Sequence, residues 1–152
     1  MSVNGLTKAR FDATIDGDFI MIPLKNRHTC VLPREIRVVL GYKDIKMFVA
    51  NEYRPGSCEY DAVLGHEKEH MKINLSTFKS ELPAIKLKTN DFLQTDFPMK
   101  LPSKNSDTRA LERIQQALIT HIRNMERKRD EMHAQLDSPE SYQYTHSKCN
   151  NW

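Results

Sequence analysis

The stretch Ser57–Phe78, SCEYDAVLGHEKEHMKINLSTF, decides how the chain is read. Arg54-Pro55-Gly56 punctuates the sequence just before it. Ser57 suits an N-cap, because its hydroxyl can accept a free amide hydrogen of the first helical turn. Glu59 and Asp61 add negative charge where the helix dipole favours it. Tyr60, Leu64, Met71, Leu75, Phe78 and Leu82 then recur at helical spacing, with one member missing between Leu64 and Met71. The missing position is Glu67. An acid where the stripe calls for a core residue needs a chemical reason. Pro83 is expected to limit this helix, giving it a span of about 58–82.

His66, Glu67 and His70 spell HExxH. Positions i and i+4 of a helix stack on one face, so His66 and His70 can present imidazole nitrogens to one zinc ion. Glu67 lies on the same side, where its carboxylate can take a proton from zinc-activated water. Gln in its place would leave no base. Gly65, just before the motif, removes a side chain at a cost of about 1 kcal/mol in helix propensity.

Outward from this helix, the first third of the chain reads as strands, about 9–53. ARFDATI alternates around Phe11 and Ala13, and DFIMIPL is an apolar run ended by Pro23. EIRVVLGY and DIKMFVANEY are rich in β-branched and aromatic residues and are expected to pair as a hairpin across Gly41-Tyr42-Lys43-Asp44. Residues 83–106 read as a connector. Ser106 or Asp107 can cap a second long helix, about 107–136, whose Leu111, Ile114, Leu118, Ile122, Met125, Met132 and Leu136 form a strong amphipathic stripe. Ser138-Pro139 ends it, and 137–152 is a polar, aromatic tail.

The whole is expected to be one α+β domain. Its 152 residues suffice to bury roughly 70% of the unfolded surface. No apolar run approaches the roughly 20 residues of a membrane span, and the start, MSVNGLTKARF, has no apolar signal core. Net charge is +3, from 23 basic and 20 acidic residues, too balanced to imply nucleic acid. The basic run HIRNMERKRDEMH is interleaved with Glu126, Asp130 and Glu131, which marks a solvated, salt-bridged face. Three cysteines, Cys30, Cys58 and Cys149, make no disulfide framework and no zinc ribbon.

AVLGHEKEHMKI resembles the active-site helix of the zincin metallopeptidases. GSCEYDAVLGHEKEH, after strands and before a long helix, is similar to small bacterial HExxH domains that are often exported. The resemblance covers residues 56–73 in detail and the rest in element order only. It implies a peptide or protein substrate, one bound Zn2+, and Glu67 as general base. It also implies an edge strand that pairs with the substrate backbone, a role that falls to DIKMFVANEY. The chain departs from the metzincin pattern, since no HExxHxxGxxH follows His70.

The third ligand must therefore come from farther along. His133, one residue after Met132 and near the apolar stripe, is the choice. His121, Glu131, Asp137, Glu140 and His146 are the other donors, Glu140 if a glutamate ligand is used. Tyr142 or Tyr144 could stabilise an oxyanion. In an exported protein, a Cys30–Cys58 bridge would tie the strands to the metal helix, leaving Cys149 free or paired elsewhere. Three reduced thiols in a cytosol fit the count equally. A periplasmic or secreted location is the expectation. The alternative function is a binding module whose HExxH holds metal without turnover.

Overall fold

The long hairpin that opens the fold turns at residues 24–27. In the computed structural model, which describes residues 4–150 and 152, β1 (Gly5–Pro23) and β2 (His28–Val49) flank this turn. Asn26 and Arg27 adopt φ of 61° and 57°, and Leu24 N–H donates to the His28 carbonyl at 2.8 Å. Asparagine tolerates the left-handed region better than most residues, which suits it to the turn. The hairpin expected at Gly41-Tyr42-Lys43-Asp44 is not there. β2 runs through it, and Asp44 absorbs the local irregularity in a single left-handed residue, φ 53°.

Next come α1 (Cys58–Asp96), β3 (Met99–Pro102), α2 (Ser106–Leu136) and α3 (Pro139–His146). The class is α+β, with one three-stranded antiparallel sheet ordered β1-β2-β3. The expected connector is mostly helix. Pro83 sits inside α1, although an interior proline removes one backbone bond and costs about 3 kcal/mol. Beyond it, Ile85 is 3% exposed, and Phe92 and Leu93 pack on an apolar core. Full burial of such a side chain contributes about 1.5–3 kcal/mol, so buried Ile85 together with partly buried Phe92 and Leu93 offsets the proline penalty.

The chain forms two compact units. One comprises Asp12–Gly41 and Glu81–Met125. Its core is Val31, Phe97, Met99, Leu101, Ala110 and Ile114. β3 supplies two of these by alternation, with Met99 opposite Val31 and Leu101 opposite Thr29 in the antiparallel ladder. From α2, Ile114, Leu118, Ile122 and Met125 are buried, as the stripe requires. Cys30 belongs to this unit and is unbridged.

The other unit takes the chain up to Phe11, then Tyr42–Ser80 and Glu126–Trp152. The hairpin's open end closes here, where Ala50 N–H donates to the Asn4 carbonyl at 2.9 Å. Ser57 caps α1 as expected, accepting from Tyr60 N–H at 3.1 Å. Phe11, Tyr42 and Phe78 form an edge-to-face cluster with centroids 5.1–6.3 Å apart. α3 begins with Ser138 as N-cap and Pro139 in its first turn.

One correction concerns the cysteines. Cys58 is bridged to Cys149, not to Cys30, with a Cα–Cα distance of 5.8 Å. The bridge fastens the first residue of α1 to the segment after α3. Among the described residues, no helix is long and apolar enough to cross a membrane.

Candidate metal centre

All the residues of this site belong to the second unit. Its buried helical seam on α1 is not the expected apolar stripe. Leu75 is 44% exposed, whereas Val63, Glu67, Asn74 and Thr77 are buried. The seam runs 63, 67, 70, 74, 77 at steps of four and three, so it is a helix face made largely of polar groups. Polar groups are tolerated in such a place when they find hydrogen-bond partners, and these do: Glu67 in Thr7, Asn74 in the His70 carbonyl and His133, and Thr77 in the Met132 sulfur.

Across from this seam, α2 presents its own i, i+4 pair, His133 and Asp137, with Asp137 held in the two-residue link before α3. Asp137 N–H donates to the His133 carbonyl at 2.9 Å, closing the last helical turn. The Asp137 Oδ1 atom lies 3.1 Å from His66 Nε2 and 3.1 Å from His70 Nε2. The two Nε2 atoms are 3.2 Å apart. Three donor atoms thus form a nearly equilateral triangle. The two histidine side chains are only 7% and 13% exposed, while Asp137 stays open to solvent.

His133 takes a different place from the one expected. Its Nδ1 is 2.8 Å from His70 Nδ1, the nitrogen turned away from the triangle, and its Nε2 is 3.3 Å from Asn74 Oδ1. Both ring nitrogens are therefore engaged away from the triangle. Burial lowers the His133 pKa, helped by His70 and Arg129 and opposed by Asp130 and Asp137.

Glu67 is 4% exposed, as a member of this seam rather than of the expected stripe. The Thr7 hydroxyl lies 2.7 Å from its Oε2 and 3.0 Å from its backbone carbonyl, and both oxygens accept from it. β1 passes so close that a Cβ on Gly5 would meet Glu67 Oε1 at 2.5 Å and Val63 Cγ1 at 2.7 Å. Gly5→Ala is accordingly expected to destabilise the fold by about 1–3 kcal/mol through overpacking, read as a drop in the thermal midpoint. An unchanged midpoint would mean that the strand lifts off Glu67 without cost.

His66, Glu67 and His70 offer ligand atoms within 4.8 Å of one another, a group that could hold a metal ion. A cleft of about 480 Å³ opens over this group, lined by Gly5, Leu6, Thr7 and Ala9 of β1, by Glu67, His70 and Asn74, and by Arg129, His133, Asp137 and Tyr142. The strand along the cleft is β1, an edge of the sheet; of DIKMFVANEY, residues 44–49 belong to β2, beyond the part of that strand that β3 pairs. Comparison with known proteins finds no matching family model, curated protein or solved structure.

Tyr142 lies beside the triangle, with its ring centroid 5.2 Å from that of His66 and its Oη donating to Asp137 Oδ1 at 3.4 Å. Burial raises its pKa, with the charges of Asp137 and Glu67 acting in the same direction, so the phenol stays a donor at neutral pH. Burial alone would lower the Arg129 pKa, but hydrogen bonds with Tyr42 and Asp130 raise it, and the guanidinium remains charged.

The other sequence candidates lie elsewhere. His121 belongs to the first unit. Glu131 pairs with Arg127 at 2.8 Å on the solvent side, and Glu140 is exposed. His146 stacks on Trp152 at 4.2 Å. Tyr144 is 67% exposed beneath Lys148. The first unit carries a wider depression of about 810 Å³ lined by Phe92, Arg109, Glu112 and Arg113 among others, with no histidine or cysteine in its wall.

Proposed function

We propose that the chain is a zinc-dependent metallopeptidase of zincin-like design, with His66, His70 and Asp137 as ligands and Glu67 as general base. The observation that carries this reading is the triangle of Nε2, Nε2 and Oδ1 atoms, 3.1–3.2 Å on a side. Tetrahedral zinc with bonds of about 2.0–2.1 Å needs ligand atoms about 3.3–3.4 Å apart. The donors fit with a movement of a few tenths of an ångström, by this same geometry. Two imidazoles and a carboxylate also suit zinc by type.

When bound, zinc lowers the pKa of water to about 7 and polarises a carbonyl. The protein's groups do the rest. Glu67, fixed by Thr7, accepts the proton of the attacking water and returns it to the leaving amine. Tyr142 donates a hydrogen bond towards developing negative charge. The edge of β1 offers backbone groups to an extended peptide in the cleft, which gives binding tolerant of sequence. The Cys58–Cys149 bridge supports an oxidising compartment.

One observation favours the non-catalytic alternative. Glu67 is deeply buried and fastened, as a purely structural carboxylate would be. Metal content and turnover separate the two readings. Wild-type protein should carry zinc and cleave an unstructured peptide substrate, with activity lost to a chelator and restored by zinc. Asp137→Ala should lower zinc affinity by at least the 10–100-fold that even an outer-shell contact is worth. Zinc binding without cleavage supports the binding module, and no zinc uptake at micromolar concentration defeats both.

A further inference from the structure

We infer that Asn74 and His133 are positioning residues that fix the ring tautomer of His70, holding its proton on Nδ1 and leaving Nε2 bare for metal. This deepens the ligand assignment above and rests on it for its purpose, though not for its geometry.

The proton positions follow from one backbone carbonyl. Asn74 Nδ2 lies 3.1 Å from the His70 carbonyl oxygen and donates to it. A flipped amide would set two acceptor oxygens against each other at that distance, so the orientation is determined. Asn74 Oδ1 therefore faces His133 Nε2, 3.3 Å away. A carbonyl oxygen only accepts, so the His133 proton sits on Nε2. In a neutral imidazole the other nitrogen is then a bare acceptor. That acceptor, His133 Nδ1, lies 2.8 Å from His70 Nδ1. His70 must donate there, and its remaining nitrogen is unprotonated. This is the Nε2 atom of the triangle.

The bonds close on themselves. His70 donates through its ring to His133, His133 to Asn74, and Asn74 back to the His70 backbone. Metal ligands commonly use a carboxylate or backbone carbonyl for this purpose. Here an imidazole does it, with its own tautomer set by a carboxamide. Asn74 is buried and His133 half-buried, and each satisfies a partner that would otherwise be stranded. Both act through His70.

The first readout is long-range proton–nitrogen NMR of the imidazoles in metal-free wild-type protein near pH 8. It should find the His70 proton on Nδ1 and the His133 proton on Nε2. The second is zinc affinity by competition with a chromophoric chelator. His133→Phe keeps a ring but offers no acceptor, and should bind zinc 10–100-fold more weakly. His133→Asn places a carboxamide oxygen near the lost Nδ1 and should recover most of that loss. Asn74→Leu leaves His133 in place and should release the His70 proton to both nitrogens. If the wild-type proton sits on His70 Nε2, or His133→Phe binds zinc as tightly as wild type, the inference is wrong. If His133→Phe abolishes binding as fully as His66→Ala, His133 is a ligand and the inference is equally wrong. Failure of the wild-type protein to take up zinc would end the metallopeptidase reading, while the tautomer measurement would still decide this one.

Discussion

Glu67→Gln is expected to lower peptide hydrolysis by about 10²–10⁴-fold, the usual contribution of a positioned general base, while zinc stays bound. The substitution is nearly isosteric, so the space beneath Gly5 remains filled. The carboxamide oxygen can still accept from the Thr7 hydroxyl, which lies 2.7 Å from Oε2 in the native site. Only the capacity to take a proton is lost. Hydrolysis rates and metal content measured on the same preparation separate base from ligand. A rate within a few-fold of wild type would show that another group takes the proton. Loss of metal with the activity would instead make Glu67 a ligand.

Opening the Cys58–Cys149 bridge should have the largest effect on stability. The two cysteines are 91 residues apart, and a closed loop of that size restricts the unfolded chain by about 4–5 kcal/mol in the chain-entropy treatment. For a chain of this length that corresponds to a thermal midpoint lower by roughly 10–20 °C. Thermal unfolding with and without reductant measures it, and Cys149→Ser should reproduce the reduced value. Cys30→Ser should change neither, because Cys30 is unbridged. Equal midpoints in oxidised and reduced protein, or a Cys30-containing disulfide in peptide mapping, would contradict the assignment.

The centre was half legible in the sequence. His66, Glu67 and His70 stand out because their spacing is local, and one helix places all three whatever the rest of the chain does. Glu67 is buried, but on a seam of Val63, Asn74 and Thr77 and not on the apolar stripe that first drew notice to it. Asp137 was only one donor among several. Its approach to His66 bridges 71 residues, and no periodicity encodes a contact of that range. His133 stood out by lying near the stripe, which does identify a residue facing α1. Its bond to His70 Nδ1 shows that facing α1 is not the same as reaching the nitrogen that His70 turns towards the triangle.

Asn74 left no signal, because a polar residue in a helix reads as solvated until its partners are known. Pro83 misled in the opposite sense, since the burial of Ile85 and the packing of Phe92 and Leu93 carry the helix past a residue that should stop it. The Gly41–Asp44 break misled for a related reason: Asp44 takes up the irregularity and the strand goes on. The α2 stripe was read correctly in its middle, where Ile114, Leu118, Ile122 and Met125 are buried and periodicity coincides with burial, but not at Met132, which is 42% exposed.

Thr7, which holds Glu67, joins α1 across 60 residues of chain, and Asp137 joins it across 71. A ribosome therefore makes the two histidines and the base long before it makes the carboxylate that completes their triangle. Until Asp137 emerges, the nascent polypeptide holds two imidazoles on a helix and no finished centre. The sulfur bridge waits longer still, for Cys149. A chain made in this order can bring His66, His70 and Asp137 together only once the segment beyond α2 has been made.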